Sequence, residues 1–429
     1  VWKKGTGPIC AEHPPGRSGQ LDLSPFSREL DVAAFEDTIA QGIGKLADRT
    51  PDGLADVEAI TFATQTNSFV LLDAGDHPLT PIVLWPDRRA ADLEQEVRQR
   101  CDLPGFTATT GIPQVNCQFM LAKLLWIRRS CPGIWDQTAR LCLISDYLTL
   151  LLTGRHVTEA GAAGLTGLLD IDRRQWWPET RVRFEISEAW LPEVVRAATD
   201  LGPIASSAAR RFGLPTTCRF VVGCLDQYAG AIGAGNVEPG TMSETTGTVL
   251  ATVRCADGLA TNLGPAVFQG PAFREQLYWR MAFGDVSANY LHWYRDQLPD
   301  RPDFDRLGAT ASQIEPGAGG LKLRTGVALS DAQLVSVLEG MTPRHTRGHA
   351  VRCIMEAVAW ALGDQLAALS RGTLPAEIRS TGGAARSDGG AGDAARGGGA
   401  GAVRLDPGAA VAGAAGGLGR RQGCSAAAA

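Results

Sequence analysis

Asp226 is the residue whose type and setting most suggest chemistry. It lies in "VGCLDQYAGAIGAG" (222–235), straight after the apolar run Phe220-Val221-Val222 and just ahead of several glycines. A carboxylate at the carboxyl end of a strand can project into a crevice and take a proton from an attacking hydroxyl. An aspartate at a strand-to-helix turn can equally be a cap, and both readings stand on local grounds. A dinucleotide loop fits poorly. That fingerprint needs G-x-G-x-x-G followed by an acidic residue, whereas "GAIGAG" (230–235) has the reverse spacing and its acid comes first. Gly230, Ala231 and Gly233 suit the small-residue face of a helix packed closely on a sheet.

Two further turns carry groups that hold ligands. "EPGTMSETTGTVLATV" (238–253) sets hydroxyls and backbone N–H groups between two apolar segments, the composition of a hairpin turn able to hold phosphate oxygens or simply of a β-turn. "STGGAARS" (380–387) runs strand-like residues into a double glycine, which allows either close approach of a flat ligand or a tight turn. His345 and His349 lie four apart, but Pro343 and Gly348 break the helix a metal pair would need. Trp176, Trp177 and the aromatics of "LHWYRDQ" (291–297) could stack on a sugar, although packing explains such residues more often.

The elements that must position these groups alternate in type. "VEAITFAT" (57–64) and "NSFVLLDA" (67–74) read as strands, followed by a loop at "GDHPLTP". Helical spacing covers "DRRAADLEQEVRQR" (87–100), "QFMLAKLLWIRRS" (118–130), "DYLTLLLTG" (146–154) with Gly154 as its stop, and 348–370. A strand is expected at 218–222, and a domain boundary beside it. The expected organisation is a first domain over 1–220, a second over 221–387 and a low-complexity tail over 388–429. Of the 42 tail residues, 27 are Gly or Ala and four are Val or Leu, too little apolar surface to offset the entropy of ordering. Such composition suggests a flexible tail or a shifted reading frame near residue 388, which resequencing the DNA would decide.

The 429 residues allow more than one domain, since single cores seldom exceed about 250–300 residues. A net charge of −5 with mixed signs offers no basic stripe for nucleic acid. The ten cysteines form no C-x2-C pairs, which favours reduced cytoplasmic thiols over a disulfide framework. The best apolar run, 141–154, falls short of a membrane span and contains Asp146.

The order of these motifs resembles the FGGY family of carbohydrate kinases, within the actin-like ATPase superfamily. "AITFATQTNSFVLLDAGDHPLTPIVLWPDRRA" (59–90) is similar to the family's sugar-side segment, and "SDYLTLLLTGRHVTEAGAAGLTGLLDIDRRQWW" (145–177) to its "DYL…LTG" run. The resemblance covers about residues 10–387 and implies an α/β fold of two actin-like (ribonuclease H-like) domains with a cleft between them, incomplete at both ends. It implies ATP-dependent phosphorylation of a sugar, a pentulose or related carbohydrate, with Mg²⁺. Asp226 would be the base; Gln65, Thr66, Asn67, Asp87, Arg88 and Gln227 would serve the sugar; Gly247, Thr248, Gly382, Gly383 and Ala384 would serve ATP. The metal ligands are unassigned. The partners implied are a small sugar and ATP, with no nucleic acid, no membrane and a homodimer as the assembly. The family's opening "D-x-G-T" hairpin has only a weak echo in "KKGTG" (3–7), and Val249 stands where Ser is usual. The expectation is therefore weak transfer by this chain as it stands. A non-catalytic sugar- or nucleotide-binding relative is the alternative.

Overall fold

The protein is described by a computed structural model over residues 27–50, 53–247, 249–327, 329, 333–370, 375, 377–382 and 401–404. Its backbone contacts define two units. The first is Val1–Ala229 together with Asp257–Trp279, and the second is Gly230–Ala256 together with Arg280–Ala429. The helix Asp226–Gly233 begins in the first unit and ends in the second, so the chain changes unit three residues after Asp226.

In the first unit the segment expected as one strand over 57–64 forms two short ones, Ala59–Ile60 and Ala63–Thr64. Each finds a parallel partner: Ala59–Ile60 pairs with Arg219–Val221, and Ala63–Thr64 pairs with Cys224–Leu225. The break between them has a steric cause. A Cβ on Gly223 would lie 1.8 Å from the Phe62 carbonyl oxygen, so only glycine lets the two backbones approach here.

The second expected strand is Phe69–Leu72, which belongs to a separate four-stranded sheet with Glu29–Leu30, Ile82–Val83 and Arg140–Leu143. "FVLL" is unbroken in hydrophobicity because both of its faces are covered, as in strands buried between layers. Phe69 and Leu71 enter the core built with the helix Met120–Ser130 (Leu121, Leu124, Leu125). Val70 and Leu72 enter the core built with the helix Ile144–Thr153 (Ile144, Tyr147, Leu150). Gly154 ends that second helix at φ 72°, the left-handed stop its sequence predicts.

The helix expected over 87–100 starts later, as the 3-10 turn Ala91–Leu93 leading into Glu94–Cys101. Asp87 explains the delay. Its carboxylate takes the backbone N–H of Arg89 at 3.0 Å and of Arg28 at 2.6 Å, holding a turn where the helix would have begun.

In the second unit, Met242–Thr246 and Leu250–Ala256 form a hairpin, and Glu377–Gly382 lies parallel to the first of these strands. Gly401–Arg404, inside the Gly/Ala-rich segment, adds an antiparallel strand beside Glu377–Gly382. The helix Arg347–Ser370 is tied to the hairpin by Thr252 Oγ1 donating to Gln365 Oε1 (2.8 Å) and Arg254 Nη1 donating to Leu369 O (2.9 Å). Trp177 and Trp293 are core residues of their respective units, so packing accounts for them. Cys101, Cys117, Cys142, Cys218, Cys224, Cys255 and Cys353 are free and buried. Among the described residues no helix is long and apolar enough to cross a membrane.

Candidate active site

The register of one parallel pair builds the candidate site. Thr64 stands opposite Leu225, so the next residue of each strand, Gln65 and Asp226, leaves the carboxyl ends side by side. Both line a cavity of about 300 Å³, with Thr64 as its third polar side chain. Leu30, Ala63, Leu84 and Ile144 supply apolar wall. This size lies at the small end of ligand pockets, which run from about 300 to 1,000 Å³.

Asp226 is exposed as a residue, but its carboxyl group sits against the cavity wall. Desolvation there raises its pKa from the ordinary carboxylate value, against the pull of the Gln227 N–H, which donates to Oδ1 at 2.8 Å. A group that takes a substrate proton near neutrality benefits from such a shift. Thr64 Oγ1 is buried without a hydrogen-bond partner, the kind of orphan a ligand hydroxyl satisfies.

The neighbouring residues expected to touch the sugar are engaged with the scaffold. Thr66 Oγ1 donates to Ala162 O (2.9 Å), and Asn67 Nδ2 donates to Leu165 O (3.0 Å). Asn67 Oδ1 accepts from the N–H of Met120 at 2.9 Å, and its backbone stands at φ 58°, a left-handed conformation asparagine tolerates. The supporting short helix, Ala160–Gly164, is capped by Glu159, which accepts from Gly161 N at 2.7 Å and Ala162 N at 2.8 Å. Complete burial pushes Glu159 up to about 7 despite these bonds. The run "AGAAG" is small because a Cβ on Gly161 would stand 3.1 Å from Pro271 O, in the strand Phe268–Pro271.

Asp87 is wholly buried and pairs with Arg89 rather than Arg88: Arg89 Nε reaches Oδ1 at 2.9 Å and Nη2 reaches Oδ2 at 2.7 Å. Arg89 also binds Glu29 at 2.6 Å and stacks over Trp126 at 5.2 Å. Arg88 is exposed, and Gln227 lies on the first turn of the helix that Asp226 opens.

The second unit repeats the device. Thr246 stands opposite Gly382 in a parallel pair, which brings the Gly247 turn and the end of the Glu377–Gly382 strand together. Ser287 Oγ donates to Gly247 O at 2.7 Å. Thr248, Gly383 and Ala384 lie outside the described residues. Glu244, buried on the same strand, accepts from Thr246 Oγ1 at 2.7 Å and from Ser380 Oγ, so one carboxylate joins both strands.

Among the described residues no cluster of three or more His, Cys, Asp or Glu could hold a metal ion. His345 and His349 use their Nδ1 atoms on the N–H groups of Thr342 and Thr346.

Residues 24–233 match the profile of the FGGY family of carbohydrate kinases, N-terminal domain. This part of the chain is thus similar to the N-terminal domain of the FGGY carbohydrate kinases. It is 28% identical over 312 residues to a xylulose kinase of Lactococcus lactis subsp. lactis, covering 71% of this chain and 61% of that protein. It is also 28% identical over 374 residues to a xylulose kinase of Escherichia coli, covering 85% of this chain and 75% of that protein. Among solved structures, ligand-bound xylulose kinase from Lactobacillus acidophilus superposes with a TM-score of 0.75 at 22% identity, over 86% of this chain and 75% of that one. The fold is thus the mixed α/β fold of the two-domain sugar kinases.

Three residues the structure brings forward, Thr64 in the cavity, Lys123 behind it and Glu244 in the second unit, were not among the sequence expectations. Thr64 was hidden as the last residue of an ordinary strand. Lys123 was legible as the lone charge in "QFMLAKLLWI" (118–127), and Glu244 as the lone acid of "MSETT" (242–246).

Proposed function

We propose that this protein transfers the γ-phosphoryl group of Mg-ATP to a hydroxyl of a small sugar, a pentulose or related carbohydrate, with Asp226 as general base. The observation that carries the reading is the Thr64–Leu225 register, which delivers Gln65 and Asp226 into one cavity of about 300 Å³. Gln65 and the orphan hydroxyl of Thr64 hold the sugar's other hydroxyls, and the Leu84 and Ile144 side chains take its C–H face. Thr66, Asn67, Asp87 and Arg88 shape this side, Thr66 and Asn67 through the backbone bonds they make. Gln227 fixes the base by its N–H bond to Oδ1.

ATP is assigned to the second unit, with Gly247 and Thr248 on the phosphates and Gly382, Gly383 and Ala384 against the adenosine. Magnesium enters as part of the nucleotide substrate, held by its phosphates as is usual for this ion, and neutralises the charge that develops in transfer. The sugar-side role is assigned to the first unit, which extends the expected 1–220 to Ala229 and takes back Asp257–Trp279, and the ATP-side role to the second, in the cytoplasm, where ATP is supplied.

A thermal-shift panel of pentuloses, hexuloses and polyols, with and without Mg-ATP, tests the reading when paired with an assay for sugar-dependent ADP release. A sugar that both shifts the melting and drives ADP release supports it. A sugar that binds without turnover favours the binding-protein alternative, and failure of every sugar to bind refutes both.

A further inference from the structure

The side chain of Lys123 is fully buried on the helix Met120–Ser130. Its ammonium has three donors, and three backbone carbonyls meet it: Leu84 O at 2.8 Å, Asn67 O at 3.2 Å and Trp85 O at 3.2 Å. None of these acceptors is a carboxylate. Burial pulls the Lys123 pKa down to about 7, partly opposed by the nearby charge of Asp87.

The three carbonyls come from the two segments that wall the sugar cavity. Asn67 belongs to the turn that carries Gln65, and Leu84 itself lines the cavity. The same helix grips Asn67 a second time, through the N–H of Met120 on Oδ1. A methionine would fill nearly the same space without burying a charge, so packing alone does not account for a lysine here. We infer that Lys123 is a positioning residue for the sugar side: it ties the Gln65–Asn67 turn to Leu84–Trp85 and so sets the width of the cavity in front of Asp226. The sugar part of this inference rests on the kinase reading above.

The test compares the full chain with Lys123→Met, which has no donor, and Lys123→Gln, which keeps two. Hydrogen exchange is followed in peptides spanning 63–69 and 82–88, and KM is measured for sugar and ATP separately. In Lys123→Met, exchange in these two segments should rise about tenfold while the rest of the first unit is unchanged. The sugar KM should rise about tenfold or more, with kcat and the ATP KM within about twofold. Lys123→Gln should recover at least half of both effects on a logarithmic scale. Unchanged exchange in both segments overturns the inference, as does equal acceleration throughout the unit or an equal rise in the two KM values. If Lys123→Met fails to fold, Lys123→Gln carries the exchange comparison against wild type, with a rise confined to the two segments as the supporting result. If wild type turns over no sugar, the kinase reading falls, and exchange still decides the role of Lys123.

Discussion

Replacing Asp226 with Asn separates its chemical role from its structural one. Asparagine keeps the size of the side chain, and its Oδ1 can still accept the Gln227 N–H that Asp226 accepts at 2.8 Å. The other oxygen becomes an NH₂ group, which cannot take a proton from an attacking hydroxyl. General-base catalysis contributes about 10²–10⁴-fold to rate. At about 1.36 kcal/mol per decade, Asp226→Asn should raise the barrier by about 2.7–5.4 kcal/mol. Sugar affinity should change little, because Gln65, Thr64 and the apolar wall remain. The acid limb of the wild-type kcat/KM profile adds a second readout. Only the ionised carboxylate is a base, and desolvation raises its pKa, so activity should fall with decreasing pH above the ordinary carboxylate range of about 3.9. The variant should lack that limb. Steady-state kinetics across pH, with sugar affinity by calorimetry, is the assay. A kcat within about tenfold of wild type, or loss of sugar binding with kcat retained at saturation, would refute the assignment.

Gly223→Ala should destabilise the protein by at least about 3 kcal/mol, because the new Cβ meets the Phe62 carbonyl at 1.8 Å and backbone cannot rotate away. Chemical denaturation measures this, and a loss under about 1 kcal/mol would show that the strands separate freely. Glu244→Leu frees Thr246 and Ser380, and the ATP KM should rise about tenfold while the sugar KM holds; unchanged ATP affinity would limit Glu244 to packing. Asp146 is raised from 3.8 and Glu159 from 4.5, each to about 7 by burial, so the folded state holds their protons longer than the unfolded chain does. Their contribution to stability is full below the unfolded values and is lost as pH rises through about 7. Asp146→Asn should therefore flatten the fall in unfolding free energy between about pH 4 and 7, and an unaltered slope in denaturant titrations would contradict this.

The order of chemistry-bearing turns was legible because each needs particular residues in a short span: an aspartate after a strand, hydroxyls about a glycine, a double glycine. The division of labour inside the sugar turn was not. "TQTNSF" (64–69) offers five polar side chains, and only tertiary partners decide which faces a ligand. Ala162 and Leu165, nearly a hundred residues away, claim Thr66 and Asn67, while nothing claims the hydroxyl of Thr64. The pairing of Asp87 was likewise set at a distance. Either of two adjacent arginines satisfies "WPDRR", and Glu29 with Trp126 selects Arg89. The break in 57–64 escaped periodicity because its cause, Gly223, lies 161 positions downstream of Phe62.

The first unit leaves the chain at Ala229 and regains it over Asp257–Trp279. That returning segment is part of its interior: Gln269 N donates to Gly111 O at 2.9 Å, and Gly111 could carry no side chain, since a Cβ would sit 1.9 Å from Gln269 O. Tyr228 stacks on Trp279, the last residue of the return. During synthesis, the unit that starts to emerge from the ribosome first is thus still missing a piece when the hairpin of the second has already been made. Ribosome-stalled nascent chains ending near residue 256 would carry an open first unit, and those long enough for residue 279 to have left the ribosome a closed one. Completion of the first unit thus waits on chain made after part of the second, and in that interval a chaperone would find it open.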